Sequence, residues 1–167
     1  MSDWKHHHLL STHFTYGEMV RSQIATRLRI NNKPTDEQVE SLIALCKNVM
    51  EPVRAIYDIP LTLLSGFRCP ELNTAIGSSN RSQHPKAEAA DFEPKTNAMV
   101  GLHDLWRSIV LSDIPFDQCI LEYPPDGWIH VSHVKDGPQR GKISIYRGNR
   151  YIHFTRQEIK DFDYDWE

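Results

Sequence analysis

The sequence is poor in cysteine. Its 167 residues include only three, Cys46, Cys69 and Cys119, and their odd number and wide spacing do not make a disulfide framework. We therefore expect the chain to be made in a reducing compartment. Because no two cysteines have the Cys-x-x-Cys spacing, the sequence excludes a zinc cluster held by thiolates.

Long apolar runs, a basic excess and a leader sequence are missing as well. No apolar stretch approaches the ~20 residues that span a bilayer, so we expect no membrane insertion. The formal net charge is −3, whereas nucleic-acid-binding domains usually carry a clustered basic excess, so we expect no nucleic-acid partner. The first eight residues end in three histidines but have no apolar segment or small-residue cleavage site, and we expect no signal peptide.

What the sequence does contain is an ordinary globular composition, 40% apolar and 25% charged. A chain of this length is long enough to bury one core. No internal repeat or linker divides it. We expect residues 1–12 to form a flexible N-terminal tail, and residues 13–167 to form a single domain that includes a C-terminal hairpin.

Helix signals fill the first third of the chain. Residues 15–18 and 35–38 match the capping box, in which a Ser or Thr is followed three residues later by Glu or Gln. Apolar residues from 39 to 56 then recur at helical spacing, which predicts one long buried helix, kinked or shortened at Pro52. A further helix is predicted over residues 97–111, with Met99 on its buried side.

Strand signals dominate the rest. The predicted strands are rich in β-branched and aromatic residues and end at turn sequences; they cover residues 59–65, 89–92, 117–122, 128–133, 143–146 and 151–154. The last two flank a short polar segment and predict a hairpin. Helices followed by strands of this kind indicate an α+β domain with a small, mainly antiparallel sheet.

Three possible metal ligands lie far apart in the sequence. His84 is in a polar loop, Asp91 is at the start of a predicted strand, and His130 is inside another. Two imidazoles and a carboxylate are the protein ligands of a hydrolytic zinc site, whose fourth position is left to water. Without a metal, His84 would be a loop histidine exposed to solvent, and His130 would make a hydrogen bond inside the core. Spacing alone does not decide between these interpretations and a metal site.

Four motifs, taken in order, resemble the M15 family of zinc peptidases. They are Ser-Gly-Phe-Arg at residues 65–68, Ser-Gln-His at 82–84, Ala-Ala-Asp-Phe at 89–92 and Trp-Ile-His-Val-Ser at 128–132. The likeness runs from about His13 to Ser132, and it is greatest to the D-alanyl-D-alanine carboxypeptidase-like subgroup often encoded by bacteriophages. It implies a Hedgehog/D-Ala-D-Ala peptidase-like fold, in which N-terminal helices pack on a sheet that carries the zinc site.

The resemblance also implies roles for particular residues. His84, Asp91 and His130 would bind Zn2+. Arg68 matches the family arginine that pairs with a substrate carboxylate, a task that suits a planar guanidinium because it can form two parallel hydrogen bonds. Ser82 matches a small polar residue that contacts substrate.

The general base has two candidates, because the family places it at variable spacing before the last histidine. Glu122 ends one strand, and Asp126 lies in the following turn. A four-residue turn over residues 124–127 would direct Glu122 away from His130, whereas a five-residue loop over 123–127 would place it beside the histidine. Turn chemistry does not decide between them. We favour Glu122, because the Asp-Gly pair is already explained as part of a turn.

Two positions depart from the family pattern. Ala87 stands where a glycine is frequent, which costs little unless the backbone there needs a positive φ. Cys69 stands where serine is common. A cysteine hydrolase is therefore a third hypothesis, but Cys69 precedes Pro70 and has no marked base beside it.

The resemblance implies a zinc peptidase that cleaves bacterial peptidoglycan stem peptides, as a D-Ala-D-Ala carboxypeptidase or an L,D-endopeptidase. Without a signal peptide, we expect a phage lysin or virion-associated hydrolase, made in the host cytoplasm and acting on the cell wall. The alternative is a non-catalytic virion structural or wall-binding module that retains the fold. The bond cleaved, the host and the oligomeric state are left open.

Overall fold

The computed structural model describes residues 3–95 and 99–161. Four helices precede the first strand, in agreement with the helix signals early in the sequence. The helices are α1 (Tyr16–Val20), α2 (Gln23–Leu28), α3 (Asp36–Leu45), α4 (Glu51–Tyr57), α5 (Pro70–Ala75), α6 (Leu102–Leu111) and α7 (Arg156–Asp161), with a π-helical turn at Cys46–Met50 and a 3-10 turn at His84–Lys86.

Six strands in the described residues form one sheet. They are β1 (Leu61–Ser65), β2 (Ala89–Pro94), β3 (Gln118–Glu122), β4 (Trp128–Ser132), β5 (Lys142–Arg147) and β6 (Arg150–Phe154). Their order is β1-β2-β4-β3-β5-β6, and each neighbouring pair is antiparallel except β3 with β5, which is parallel. The predicted α+β class with a mainly antiparallel sheet is confirmed, and β5 and β6 form the predicted hairpin.

Both predicted capping boxes are present. The Thr15 hydroxyl accepts from the Glu18 backbone N–H at 3.2 Å, and the Glu18 carboxylate accepts from the Thr15 N–H at 2.9 Å. Thr35 and Gln38 make the same reciprocal pair at 3.3 and 2.9 Å. These bonds satisfy backbone donors at the start of α1 and α3 that have no partner inside the helix.

The long helix is continuous from α3 through the π-helical turn into α4. Pro52 lies in the first turn of α4, directly after the π-helical residues, and the Glu51 N–H donates to the carbonyl five residues back at Cys46. Proline has no N–H, so a helix that contains one must lose a hydrogen bond and make room for the ring. The expected disturbance at Pro52 is thus a widened turn, which leaves the buried stripe intact.

The two faces of the sheet have different surroundings. On one face, alternate strand residues such as Phe92 and Ile129 are buried in the hydrophobic core together with Trp106 of α6. Successive strand residues point to opposite faces, so the neighbours Asp91 and His130 lie on the other one. We call this second face the site face.

The chain reaches β5 by a crossover that passes the end of β3, because β4 ends at Ser132 and β5 begins at Lys142, both opposite Gln118. An ion pair fastens this crossover, since the backbone N and Nε of Arg140 lie 3.0 and 2.9 Å from Oδ1 of the buried Asp117. Burial raises the pKa of Asp117, but the hydrogen bonds and charge of Arg140 outweigh that effect and hold the pKa below its ordinary value.

Two sequence-based expectations differ from the structure. Helix α6 begins at Leu102, and Met99 is fully exposed, so its predicted burial is wrong: the chain enters the helix only after the N-cap residue Gly101. Residues 97 and 98 lie outside the described residues. At the other end, Leu10 is only 2% exposed and its N–H donates to the Phe14 carbonyl, so packing begins before the predicted domain boundary at residue 13.

Within the described part of the chain, none of the helices has the length and apolar character that crossing a membrane requires.

Candidate metal centre

His84 is held by the turn that precedes β2. Its Nδ1 lies 2.6 Å from the Gly66 carbonyl oxygen, and because a carbonyl can only accept, Nδ1 carries the proton. The lone pair is therefore on Nε2, which faces Asp91. The side chain is 1% exposed, so the interpretation of His84 as a solvated loop histidine is wrong.

The register of β2 and β4 brings the other two residues together. Asp91 is directly opposite His130 in this antiparallel pair. His130 Nδ1 lies 2.8 Å from Asp91 Oδ1, and His84 Nε2 lies 3.2 Å from the same oxygen. One donor atom from each of these three buried residues lies within 4.8 Å of the other two.

This set of donors fits a zinc ion. Bonds of 2.0–2.1 Å to a tetrahedral zinc separate the ligand atoms by roughly 3.3 Å. The 3.2 Å between His84 Nε2 and Asp91 Oδ1 is close to this separation, and the 2.8 Å between His130 Nδ1 and the same oxygen is shorter. An imidazole lone pair and a carboxylate oxygen that face each other at this distance repel unless a proton or a metal cation lies between them. The Gly66 carbonyl, which fixes the ring and its tautomer, is the kind of outer partner that zinc-binding histidines have.

The electrostatics leave these groups in the states that ligate a cation. Burial lowers the pKa of His84, which favours the neutral imidazole. Burial also raises the pKa of Asp91, but the nearby His84 and His130 outweigh that effect and hold the pKa well below its ordinary value. Neutral imidazole and ionised carboxylate are the forms that bind metal ions.

Arg68 lies beside this cluster, three residues after the end of β1. Its side chain is mostly buried, and one terminal nitrogen is 3.5 Å from Asp91 Oδ2. Its Nε is buried and has no acceptor among the described residues. The guanidinium therefore has an unused N–H donor, Nε–H, at the edge of the cluster.

Glu122 lies on the site face. β3 pairs Glu122 with Trp128, so the connection is the five-residue loop over residues 123–127, which was the alternative that placed Glu122 beside His130. The carboxyl group is half-buried. Burial raises its pKa, and so does the charge of Asp91, whereas His130 and Arg68 act in the opposite direction and lower it. Glu122 is therefore within electrostatic range of the cluster.

Asp126, the other candidate base, lies in the loop itself. It is exposed and lines a surface cleft together with Lys95 and Leu102, and no contact joins it to His84, Asp91 or His130 within the described residues. The structure thus places Glu122, and not Asp126, near the candidate ligands.

Ser82 lies two residues before His84, as its motif requires. Its hydroxyl accepts from the His84 backbone N–H at 3.3 Å and so helps to shape the turn that positions the imidazole. The implied contact of Ser82 with substrate stays a prediction.

Ala87, which stands where the family often has glycine, adopts the positive φ at which that difference matters. Its φ is +62°, and its methyl group is fully buried. A non-glycine residue in this left-handed region costs roughly 1–2 kcal/mol. The sequence alone gave no sign of this strain, because only the backbone angle decides it.

Two glycines have roles that the sequence analysis missed. A Cβ on Gly66 would lie 2.4 Å from the Met19 carbonyl oxygen, and one on Gly127 would lie 1.8 Å from the Glu122 carbonyl oxygen. Neither position can hold a side chain unless its neighbour moves. Gly66 belongs to the Ser-Gly-Phe-Arg motif, which was the available signal, whereas Gly127 was interpreted only as a turn residue.

The sequence profile of the family described as Peptidase M15 matches residues 12–132 of this chain. The matched segment contains the three clustered donors, Arg68 and Glu122. No curated protein matches the chain. Peptidases of this family depend on zinc, for which the cluster offers a possible site. Because the match covers most of the 167 residues, the chain belongs to the peptidase M15 family.

Proposed function

We propose that this protein is a zinc-dependent peptidase that hydrolyses peptidoglycan stem peptides, as a D-Ala-D-Ala carboxypeptidase or an L,D-endopeptidase. The observation that carries the proposal is the convergence of His84, Asp91 and His130, whose donor atoms lie within 4.8 Å of one another in a chain of the M15 family. Peptidoglycan enters through the likeness of the four motifs to the carboxypeptidase-like subgroup.

In this proposal His84 Nε2, His130 Nδ1 and a carboxylate oxygen of Asp91 hold the ion. Bound zinc supplies Lewis-acid polarisation of the scissile carbonyl and an acidified water. Gly66 keeps the proton on His84 Nδ1, so that Nε2 remains available as a ligand throughout.

Glu122 is the proposed general base. A carboxylate in this position takes a proton from the attacking water on one of its oxygens and returns it to the leaving amine. Its raised pKa, caused first by burial, suits a group that must accept the proton and then release it. The half-buried position beside His130 supports this role, whereas Asp126 is exposed and lies outside the cluster.

Arg68 and Ser82 are proposed to bind substrate. The unused Nε–H of Arg68 and its terminal nitrogens form a planar fork that can grip a substrate carboxylate with two hydrogen bonds. Fixing that carboxylate beside the ion would orient the scissile bond, and orientation of this kind is a large part of enzymatic rate enhancement.

We further propose that the protein is a phage lysin or a virion-associated hydrolase, made in the host cytoplasm and acting on the cell wall. The test is hydrolysis. Purified protein supplied with zinc should release D-alanine or a new amine from muropeptides, and a chelator should abolish the release. If the protein bound zinc but cleaved no wall preparation, a non-catalytic wall-binding or virion module would be the better assignment. Activity that survived the chelator and was lost on alkylation would indicate a cysteine hydrolase.

The base is tested with two matched variants. Glu122→Gln should keep zinc but lose turnover by roughly 10²- to 10⁴-fold, the usual contribution of a general acid–base group. Asp126→Asn, the control, should stay within about twofold of the wild type, because its carboxylate is exposed and outside the cluster. The opposite result, with Glu122→Gln active and Asp126→Asn inactive, would assign the base to Asp126.

A further inference from the structure

A row of side chains crosses the site face beside the candidate metal centre. Glu122 of β3 is paired with both Trp128 of β4 and Tyr146 of β5, and Tyr146 is paired with Tyr151 of β6. Directly paired residues share a face of the sheet. Since Trp128 lies two residues before His130, the whole row is on the face that carries the metal ligands.

The rings of this row touch one another. Tyr123, the first residue after β3, lies 5.2 Å from Trp128 and 5.2 Å from Tyr146 between ring centroids, and Tyr146 lies 4.6 Å from Tyr151. We call Trp128, Tyr123, Tyr146 and Tyr151 the aromatic row. It spans three strand spacings, about 14 Å. Tyr123 and Tyr151 are 48% and 55% exposed, and the other two rings are half-buried, so the aromatic row has surface available to a partner.

The aromatic row continues directly from the candidate site. The carboxylate of Glu122 lies within it, and this charge contributes, after burial, to the raised pKa of Tyr151, so the two groups are within electrostatic range. Arg68 is on the opposite side of the cluster, because it follows β1 at the far edge of the sheet. A substrate that reaches from Arg68 across the ion would therefore pass over the aromatic row.

This arrangement gives the substrate a direction. If the carboxylate of a stem peptide pairs with Arg68, the amino end of that peptide points toward the aromatic row. In peptidoglycan, the amino end of the stem peptide is joined to a sugar of the glycan strand. The tyrosines of the aromatic row are uncharged rings that carry hydroxyl groups, which suit a neutral ligand with an apolar face and many hydroxyls.

We infer that the aromatic row binds the glycan strand to which the stem peptide is attached. The sugar rings pack their C–H faces on the aromatic rings, and the phenol hydroxyls bond to sugar hydroxyls. This assignment rests on the proposed function and deepens it. Tyr146 and Tyr151 lie beyond residue 132, where the family match ends, so this part of the surface comes from the C-terminal hairpin.

The test compares a sugar-linked stem peptide (a disaccharide muropeptide) with the same peptide lacking the sugar. Wild-type protein with zinc should have a kcat/KM at least fivefold higher on the sugar-linked substrate. Tyr151→Ala should remove most of this preference, lowering kcat/KM on the muropeptide about five- to tenfold, the amount expected for one stacked ring, and leaving the free peptide unchanged. Tyr151→Phe, which keeps the ring, should retain most of the preference.

Ile152→Ala is the matched control, because Ile152 is the next residue of β6, is exposed to a similar degree and points to the opposite face. It should leave the preference unchanged. Equal kcat/KM of the wild type on the two substrates, or equal losses on both in Tyr151→Ala, would overturn the inference while leaving the proposed peptidase function in place.

A second measurement separates the two proposals if neither substrate is cleaved. Titration of the intact protein with an N-acetylglucosamine tetramer, followed by calorimetry, reports glycan binding without turnover. Binding by the wild type that is weakened at least fivefold in Tyr151→Ala would support the inference even though the proposed peptidase function had failed. Absence of binding by the wild type would overturn the inference.

Discussion

Substitution of Gly127 by alanine tests whether the loop over residues 123–127 sets the position of Glu122. A Cβ at residue 127 would lie 1.8 Å from the Glu122 carbonyl oxygen, whereas a carbon and an oxygen that are not bonded approach to about 3.3 Å. The two segments must therefore separate by about 1.5 Å. Since the carbonyl belongs to the proposed base itself, the carboxylate should move with it.

Displacement of a catalytic group by about 1 Å can cost about 10²-fold in rate, and overpacking of this kind costs about 1–3 kcal/mol of stability. We therefore expect Gly127→Ala to lower kcat/KM on muropeptides about 100-fold and to lower the free energy of unfolding by about 2 kcal/mol. Zinc content at saturating zinc should stay at one ion per chain, because the three ligands lie outside the loop.

The measurements are zinc content, thermal unfolding and steady-state hydrolysis at a temperature where circular dichroism shows the variant to be folded. Gly137→Ala is the control, since its Cβ would lie 3.2 Å from a Val134 methyl group, which can shift easily; its activity should stay within about twofold of the wild type. If folded Gly127→Ala kept at least a third of the wild-type activity, the link between the loop, the position of Glu122 and turnover would be refuted.

Three further perturbations test other parts of the structure. Zinc at about 1,000 times its Kd should stabilise the wild type by about 4 kcal/mol in thermal unfolding. His84→Ala and His130→Ala should lose this stabilisation by zinc. Stabilisation that persisted in both variants would contradict the assigned ligands. Asp117→Asn should lower the free energy of unfolding at pH 7 by about 2 kcal/mol. Because the folded pKa of Asp117 is lowered, its contribution is present above the unfolded value of about 4 and is lost as the pH falls through the folded value. The urea midpoints of wild type and variant should therefore converge as the pH falls below about 4; a difference between the midpoints that stayed constant with pH would contradict this reasoning. Ala87→Gly relieves a left-handed backbone strain of about 1 kcal/mol, but it removes a buried methyl group worth about 0.8 kcal/mol and adds chain entropy to the unfolded state. Its free energy of unfolding should therefore change by less than about 1 kcal/mol. A larger loss in urea denaturation would show that the methyl group matters more than the strain.

Much of the fold followed from local signals in the sequence. The capping boxes at Thr15 and Thr35 gave two helix starts, because the hydrogen bonds that define them are made within four residues. Met99 shows where this logic stops: its spacing suits a helix, but the chain becomes helical only after Gly101. Leu10 shows the same limit at the N-terminus, since its burial depends on distant residues.

The candidate site was less accessible to sequence reasoning than the fold. Motif order indicated that His84, Asp91 and His130 converge, and the structure brings them together. The choice between Glu122 and Asp126 depended on whether the connection has four or five residues, which shifts the register by one and reverses every side chain on the strand. The structure pairs Glu122 with Trp128 and brings Gly127 close to the Glu122 carbonyl, and the one-letter sequence records neither the pairing nor the distance.

The parallel pairing of β3 with β5 limits how far the chain can be truncated from its C-terminal end. Because β5 covers its outer side, β3 is an interior strand. A fragment that stopped at residue 132 would leave the amide and carbonyl groups of β3 unpaired along a new sheet edge, next to Glu122. Open edges of this kind invite other chains to add to the sheet. The family-matched segment alone should therefore self-associate, because the terminal hairpin is what covers the outer edge of β3.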